Sequence, residues 1–269
     1  MKIKPDWILK KLSISQLDDL SNTFNWFPGD LPECDRNSIE EDGIRLPLLV
    51  QSVEDSKFRL VDGFKRLSWL KSVQGNSVEE YQQDQLPCLI IPAFVSIRDL
   101  SKIRLETLSA DQNSFSGIHL CRVLNMLSEA GFSKNEIAFQ VFPSLGLISS
   151  VRLAGQLLDL QKKLVTSELH AESLLPESIM IMGYEDLLPL LKFSSSDFPS
   201  VVRLAEKMEV KGKKWRNMLQ VLDEVARLQQ TTADEILQYP EIQKIMEDSN
   251  LQGPVRYRLL KQQLDALRY

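Results

Sequence analysis

At 269 residues, with 43% hydrophobic content, the chain is long enough for two modest domains and apolar enough to bury a core, which sets disorder aside. Its formal net charge of -5 excludes an all-over basic nucleic-acid binder, because sequence-independent DNA affinity comes mainly from Lys and Arg neutralising phosphates; a local basic face stays open. No apolar run approaches the roughly 20 residues that cross a bilayer, and Met1 to Lys11 is polar and charged, unlike a secretory signal, so a cytoplasmic protein without membrane contact is expected.

From Met1 to about Phe94 the pattern is mixed. Ser13 to Leu20 reads as a short opening element, and Cys34 to Gly43 as a helix closed by a glycine, which adopts the left-handed conformation at low cost. Leu48-Leu49-Val50 and Phe58-Arg59-Leu60-Val61 are β-prone and flank the turn-rich Ser52 to Lys57, which predicts an antiparallel pair. Asp62-Gly63 then marks a sharp turn. Phe64 to Val73 carries Phe64, Leu67 and Leu70 at helical spacing, and its first turn sets backbone N–H groups beside Lys65 and Arg66, chemistry suited to an anion. Gln85 to Phe94 is extended again, with Pro87 and Pro92 placing it near a sheet edge or bounding it. Cys88, inside Leu86 to Ile91, reads as a buried small hydrophobe. The three cysteines, Cys34, Cys88 and Cys121, form no CxxC pair, and His119 and His170 are too far apart in sequence for a ligand motif, so a structural zinc site is not expected.

Beyond Ile97 the signal turns helical, with helices expected at Ile97 to Ser109, Ser116 to Ala130, Ser133 to Phe142 and Ser149 to Val165, and several more to the C-terminus. Pro176, Pro189, Pro199, Gly212 and Pro254 punctuate the later ones. Charge is uneven: acidic residues gather at Glu40, Glu41 and Asp42 and from Glu79 to Asp84, while Lys207, Lys211, Lys213, Lys214 and Arg216 surround one helical stretch. Trp215, within that basic stretch, could stack on a base or anchor its helix. His119 reads as a structural residue and His170 as a solvated helix-end residue. The last helix has a narrow apolar stripe of Tyr257, Leu260, Leu264 and Leu267, suited to packing within the chain or to dimerisation.

Ser38 to Val50, in which a helix, Gly43 and then Pro47 lead into a strand, resembles the opening of the ParB domain of the ParB/sulfiredoxin-like family. Arg59-Leu60-Val61-Asp62-Gly63-Phe64-Lys65-Arg66 resembles that family's next strand and its Gly-Glu-Arg-Arg turn. Leu86 to Ile91 matches the following strand, and Leu105-Glu106-Thr107-Leu108-Ser109 falls where the family has Glu-Asn-Leu-Gln-Arg. Order and spacing agree over roughly residues 10 to 165. The resemblance implies an α+β N-terminal domain with a small mixed sheet over residues 1–96, a helix-turn-helix-like region over 97–170 and a C-terminal helical domain over 171–269.

It also implies a nucleotide, CTP with magnesium as in DNA-partition proteins or ATP as in sulfiredoxins and related phosphotransferases. Gly63, Phe64, Lys65 and Arg66 would bind it, Glu106 and Thr107 would hold the metal, and Glu106 would be the catalytic residue. Gly63 would let the backbone approach a phosphate, the helix N-terminus would add partial positive charge, and Lys65 and Arg66 full charge. The departures fall on the chemical positions. Phe64 replaces Glu, Lys65 replaces an Arg and loses bidentate geometry, Leu46 replaces a polar residue, Thr107 stands for Asn, and Ser109 and Ala110 stand for Gln and Arg. The turn has no cysteine, which argues against sulfiredoxin chemistry.

Phe132 to Ala138 is similar to the first helix of the partition-protein helix-turn-helix, with Ser133 as N-cap and Glu136 as its capping-box partner. Ser149 to Leu160 would be the recognition helix, with Ser149, Ser150, Arg152 and Gln156 toward DNA and Val151, Leu153, Leu157 and Leu158 inward. An ordinary helical hairpin would show the same spacing, and Phe142 to Gly146 makes the turn longer than the family's. Together these features suggest a bacterial, homodimeric, DNA-associated protein of the chromosome or plasmid partition or transcription-regulator type, gated by a nucleotide. The alternatives are an ATP-dependent small-molecule phosphotransferase on the same fold, and a degenerate, nucleotide-free interaction scaffold.

Overall fold

The structure, a computed structural model, describes residues 4–18, 24–26, 32–54, 56–74, 85–108, 116–167 and 175–268. The acidic stretch from Glu79 to Asp84, together with Ser109, Ala110 and His170, lies outside the described residues. The architecture is α+β. Strands β1 (Ile8–Leu12), β2 (Leu17–Asp18), β3 (Leu48–Glu54), β4 (Lys57–Asp62) and β5 (Leu86–Ile91) form one sheet in the order β1-β5-β3-β4-β2. The sheet is mixed: β1 runs antiparallel to β5 and β3 antiparallel to β4, while β5–β3 and β4–β2 are parallel.

The expected pair is present and longer than the sequence suggests, since β3 and β4 run on into Ser52 to Lys57 and pair as far as Glu54↔Lys57, with Ser56 in the left-handed region at φ 75°. Both edges, β1 and β2, lie on segments that carry no strand signal. Four of the five residues of β1 are exposed, and Lys10 and Lys11 supply the charge that keeps an edge strand from pairing with another chain. Leu86 to Ile91 lies near a sheet edge, as expected, one strand in from it: β5 sits between the edge strand β1 and β3. Pro92 bounds it directly after Ile91, and Pro87 precedes the β5–β3 ladder, which begins at Leu48↔Cys88, so its missing N–H costs that ladder nothing.

Contacts group the chain into two units, one of Met1–Gln112, Met126–Glu136 and Gln140–Ile148, the other of Asn113–Asn125, Ile137–Phe139 and Ser149–Tyr269. The first holds the sheet with α1 (Glu33–Asp42), α2 (Phe64–Gln74) and α3 (Ile97–Leu108). Gly43 ends α1 as predicted, at φ 71° with its N–H on the Ile39 carbonyl. In α2 the apolar positions Phe64, Leu67 and Leu70 are all buried. They join Leu48, Val50, Leu60, Leu86, Ile91 and Leu100 in the core, where α3 packs on β4. Cys88 is buried, and burial pushes its thiol up to about 11.

Ser116 directly precedes helix α4 (Gly117–Glu129); its hydroxyl accepts the His119 N–H at 3.4 Å and meets His119 Nδ1 at 3.0 Å, a capping role that fits the structural reading of His119. Burial pushes Cys121, in this helix, up to about 12. The predicted helix from Ser133 to Phe142 is broken into α5 (Lys134–Glu136), a π-helical turn at Ile137–Val141 and α6 (Phe142–Ser144). Pro143 has no N–H for the Phe139 carbonyl four residues back, so the ladder of i to i−4 hydrogen bonds is interrupted before it. The capping box is formed: Ser133 N–H donates to Glu136 Oε2 at 2.9 Å, and Glu136 N–H to Ser133 Oγ at 3.3 Å. Arg98 of α3 pairs with Glu136 and lies 4.8 Å from the Phe132 ring centroid, joining this box to the sheet domain.

In the second unit α7 (Val151–Thr166) is followed by α8 (Glu177–Met180), α9 (Tyr184–Leu187), α10 (Phe198–Met208), α11 (Gly212–Leu228), α12 (Ala233–Leu237), α13 (Pro240–Glu247) and α14 (Gly253–Ala266). Prolines mark helix starts, with Pro176 at the N-cap of α8 and Pro199 and Pro254 in the first turns of α10 and α14, where a missing N–H costs least. Phe198, Leu204, Trp215, Leu219 and Leu222 form the core. Of the α14 stripe, Leu260 and Leu264 are buried and Tyr257 and Leu267 half-buried, and α14 packs on α10, α11 and α13. Trp215 is an anchor rather than a base-stacking surface, fully buried with Nε1 donating to the Asp186 carbonyl at 2.9 Å. The Asp186 carboxylate accepts the Gly212 N–H at 2.9 Å and pairs with Arg216, so one cation of the basic stretch is neutralised locally.

Candidate functional site

The Asp62–Gly63 turn joins the end of β4 to the start of α2. Gly63 has φ 102°, a conformation that L side chains rarely adopt, and a Cβ there would collide with Leu48 Cδ2. Backbone conformation and close packing therefore both require glycine. The Gly63 carbonyl accepts the Leu67 N–H at 2.9 Å and so opens the helix. The N–H groups of Phe64, Lys65 and Arg66, in the first turn, precede the first intrahelical donor and point toward the helix N-terminus.

The four residues proposed for nucleotide binding do not play equal parts. Phe64 turns its ring into the core and offers only its backbone. Lys65 and Arg66 are half-buried. Arg66 Nη1 donates to the Leu46 carbonyl, and its Nη2 lies 3.3 Å from where a Gly63 Cβ would be. Arg66 thus ties the loop between α1 and β3 to the turn while keeping its charge over Gly63. Leu46 itself is 73% exposed, so this loop is held through its carbonyl and not through its side chain.

The stretch around Glu106 and Thr107 comes to the same turn through a residue that the motif comparison does not single out. Arg104 Nη1 donates to Asp62 Oδ1 at 2.5 Å and to Thr107 Oγ1 at 3.0 Å. Thr107 in turn donates to the Arg104 carbonyl at 2.8 Å. A signal for Arg104 does exist in the sequence: it stands four residues after Leu100 and one after Ile103, so a cation falls on the buried stripe of α3 and needs a partner there. Gln51, buried in β3, donates through Nε2 to the carbonyls of Ala93 at 3.2 Å and Val95 at 2.8 Å. It fixes the connection from β5 and so aims α3.

This geometry bears on a metal. The Thr107 oxygen accepts from a guanidinium 3.0 Å away, and that cation disfavours a dication at the same oxygen. Thr107 fits better as the group that orients Arg104. Glu106, the other residue expected at the metal, lies about 100° round the helix from Thr107 and is exposed. Among the described residues no group of three or more His, Cys, Asp or Glu could hold a metal. A magnesium ion carried by nucleotide phosphates takes only one or two carboxylates from protein.

The second candidate surface is on α7, which starts at Val151, later than Ser149 as expected, because Ser150 is the N-cap, its hydroxyl accepting the Leu153 N–H at 3.2 Å. Ser149 and Arg152 are exposed, and Ser150 and Gln156 half-buried. Leu157 and Leu158 are buried as predicted, while Val151 and Leu153 are half-buried. The outward face also carries Asp159, which meets Lys162 at 3.9 Å, so its positive charge is thin.

No family model matches the chain, and no curated protein matches it. Among solved structures the chain is similar to a ParB N-domain described as pNOB8-like, at 14% sequence identity and a TM-score of 0.39, with 98% of this chain and 93% of that chain covered. Among the described residues no helix is long and apolar enough to cross a membrane.

Proposed function

We propose that this chain is a DNA-associated protein of the ParB type, in which CTP or ATP, carried with magnesium, binds at Gly63 to Arg66 and gates association of a homodimer with DNA. The observation that carries this reading is the shared guanidinium: Asp62 and Thr107, from two stretches singled out separately in the sequence, meet on one nitrogen of Arg104. Phosphates would lie over Gly63, on the first N–H groups of α2, with Lys65 as a point charge and Arg66 as a fork. Glu106 would meet the magnesium ion or a hydrolytic water, and Thr107 would hold Arg104 in place. Ser149, Ser150, Arg152 and Gln156 would face DNA. With so few cations there, affinity should be modest and its dependence on salt shallow.

The test is a gel-shift and crosslinking series at low salt, where the electrostatic term is strongest, with no nucleotide, with CTP and with ATP. Nucleotide-dependent DNA association supports the reading. Absence of DNA affinity under all three conditions removes it, and ATP turnover on polar metabolites without DNA affinity would establish a phosphotransferase instead.

A further inference from the structure

We propose that the Asp62 carboxylate is a built-in occupant of the anion site, an autoinhibitory contact that an incoming phosphate must displace from Arg104. The inference rests on the nucleotide site proposed above and concerns its regulation. A single oxygen, Asp62 Oδ1, accepts from the Gly63 N–H at 2.8 Å and from Arg104 Nη1 at 2.5 Å. A backbone amide at a helix start and a guanidinium are the two donor types that a phosphate oxygen would take at this turn.

The exposures of the two partners differ in a way that permits exchange. The Arg104 side chain is 10% exposed and the Asp62 side chain 26%. The guanidinium is therefore fixed, with Thr107 as a second acceptor, while the carboxylate stands on the solvent side and can move off. Its charge is also the smaller claim. Asp62 brings a single carboxylate to Arg104, with Lys65 and Arg66 in the adjoining first turn, and Arg66 donates to a neutral carbonyl. A polyphosphate brings several negative charges to the same cations, so it competes for Arg104 where a single weak anion would not. Without ligand, Asp62 supplies a counter-charge to this buried cation, and its removal alone would be costly.

Asp62→Asn separates these roles, because the amide oxygen can still accept from Gly63 while the competing charge is gone. The experiment uses the full chain and sodium tripolyphosphate as the probe, followed by calorimetric titration and thermal melting of wild type, D62N and R104Q. D62N is expected to bind about tenfold more tightly than wild type, the scale of a partly screened like-charge repulsion, and R104Q about tenfold more weakly. D62N should also melt lower than wild type without the anion and recover more of its melting temperature on adding it. An ion pair with a purely structural role would show no such rescue. If wild type binds and D62N binds no more tightly, the autoinhibitory contact is overturned while the anion site stands. If neither wild type nor folded D62N binds, the site itself fails and the inference with it. If D62N does not fold, R104Q decides: affinity equal to wild type overturns the proposal.

Discussion

Asp62 and Arg104 meet at 2.5 Å across 42 residues of sequence, joining the end of β4 to the second half of α3. The contact matters for stability because one partner is a cation held almost out of water. Removing one member of a fully buried ion pair costs about 3–5 kcal/mol, and the 26% exposure of Asp62 reduces this to about 2–3 kcal/mol for Arg104→Ala. Urea unfolding of the variant should show that loss.

Two glycines with positive φ predict a contrast. Gly63, at φ 102°, has Leu48 against it, whereas Gly146, at φ 69°, has nothing within 4 Å. Gly146→Ala should cost only the backbone strain, about 1–2 kcal/mol. Gly63→Ala should cost that strain plus overpacking of about 1–3 kcal/mol. Equilibrium urea unfolding of the two variants side by side checks the difference.

In the helical unit, Arg256 is buried and donates to three carbonyls: Ile245 at 3.2 Å, Lys207 at 2.5 Å and Asp248 at 2.7 Å. It closes the C-terminal ends of α10 and α13 from a position on α14. Arg256→Met leaves those carbonyls short of a donor and should cost about 3–5 kcal/mol. Arg258→Met, at an exposed position of the same helix, should stay within about 0.5 kcal/mol of wild type. Thermal unfolding followed by circular dichroism separates the two.

The capping box predicts a pH dependence. Hydrogen bonds from the Ser133 backbone and hydroxyl, then the Arg98 charge, hold the Glu136 carboxyl below the ordinary value of 4.5. A carboxyl whose value is lowered by folding contributes stability above its unfolded value and loses it as pH falls through the folded one. Glu136→Gln should therefore be less stable than wild type at neutral pH. The gap should close as pH drops below about 4.5, which urea midpoints measured from pH 7 to pH 3 would show.

Local chemistry was legible where it is written in adjacent residues. Gly43 ends its helix, Ser133 and Glu136 cap theirs, and Phe64, Leu67 and Leu70 bury as their spacing requires. Other features depend on residues far apart. β1 reads as polar because it is a mostly exposed edge with two lysines, and becomes a strand only by pairing with β5. The break at Ile137–Val141 follows from Pro143, a signal present in the sequence but outweighed by the apolar spacing around it. At the site, the turn was visible in Asp62-Gly63, but Arg104 gains its meaning only when α3 is laid against β4. Trp215 likewise reads two ways until Asp186 is found beside it.

The central claim is that the Gly63 turn takes the phosphates of a nucleotide. Calorimetric titration of the full chain with CTP and with ATP, each in magnesium, tests it most directly, beside the charge reversal Lys65→Glu, at a half-buried side chain with no hydrogen bond or ion pair among the described residues. Saturable binding of one nucleotide, lost or weakened at least about tenfold in K65E, is the predicted result. Absence of binding of either nucleotide to folded wild-type protein, or binding unchanged in K65E, would contradict it.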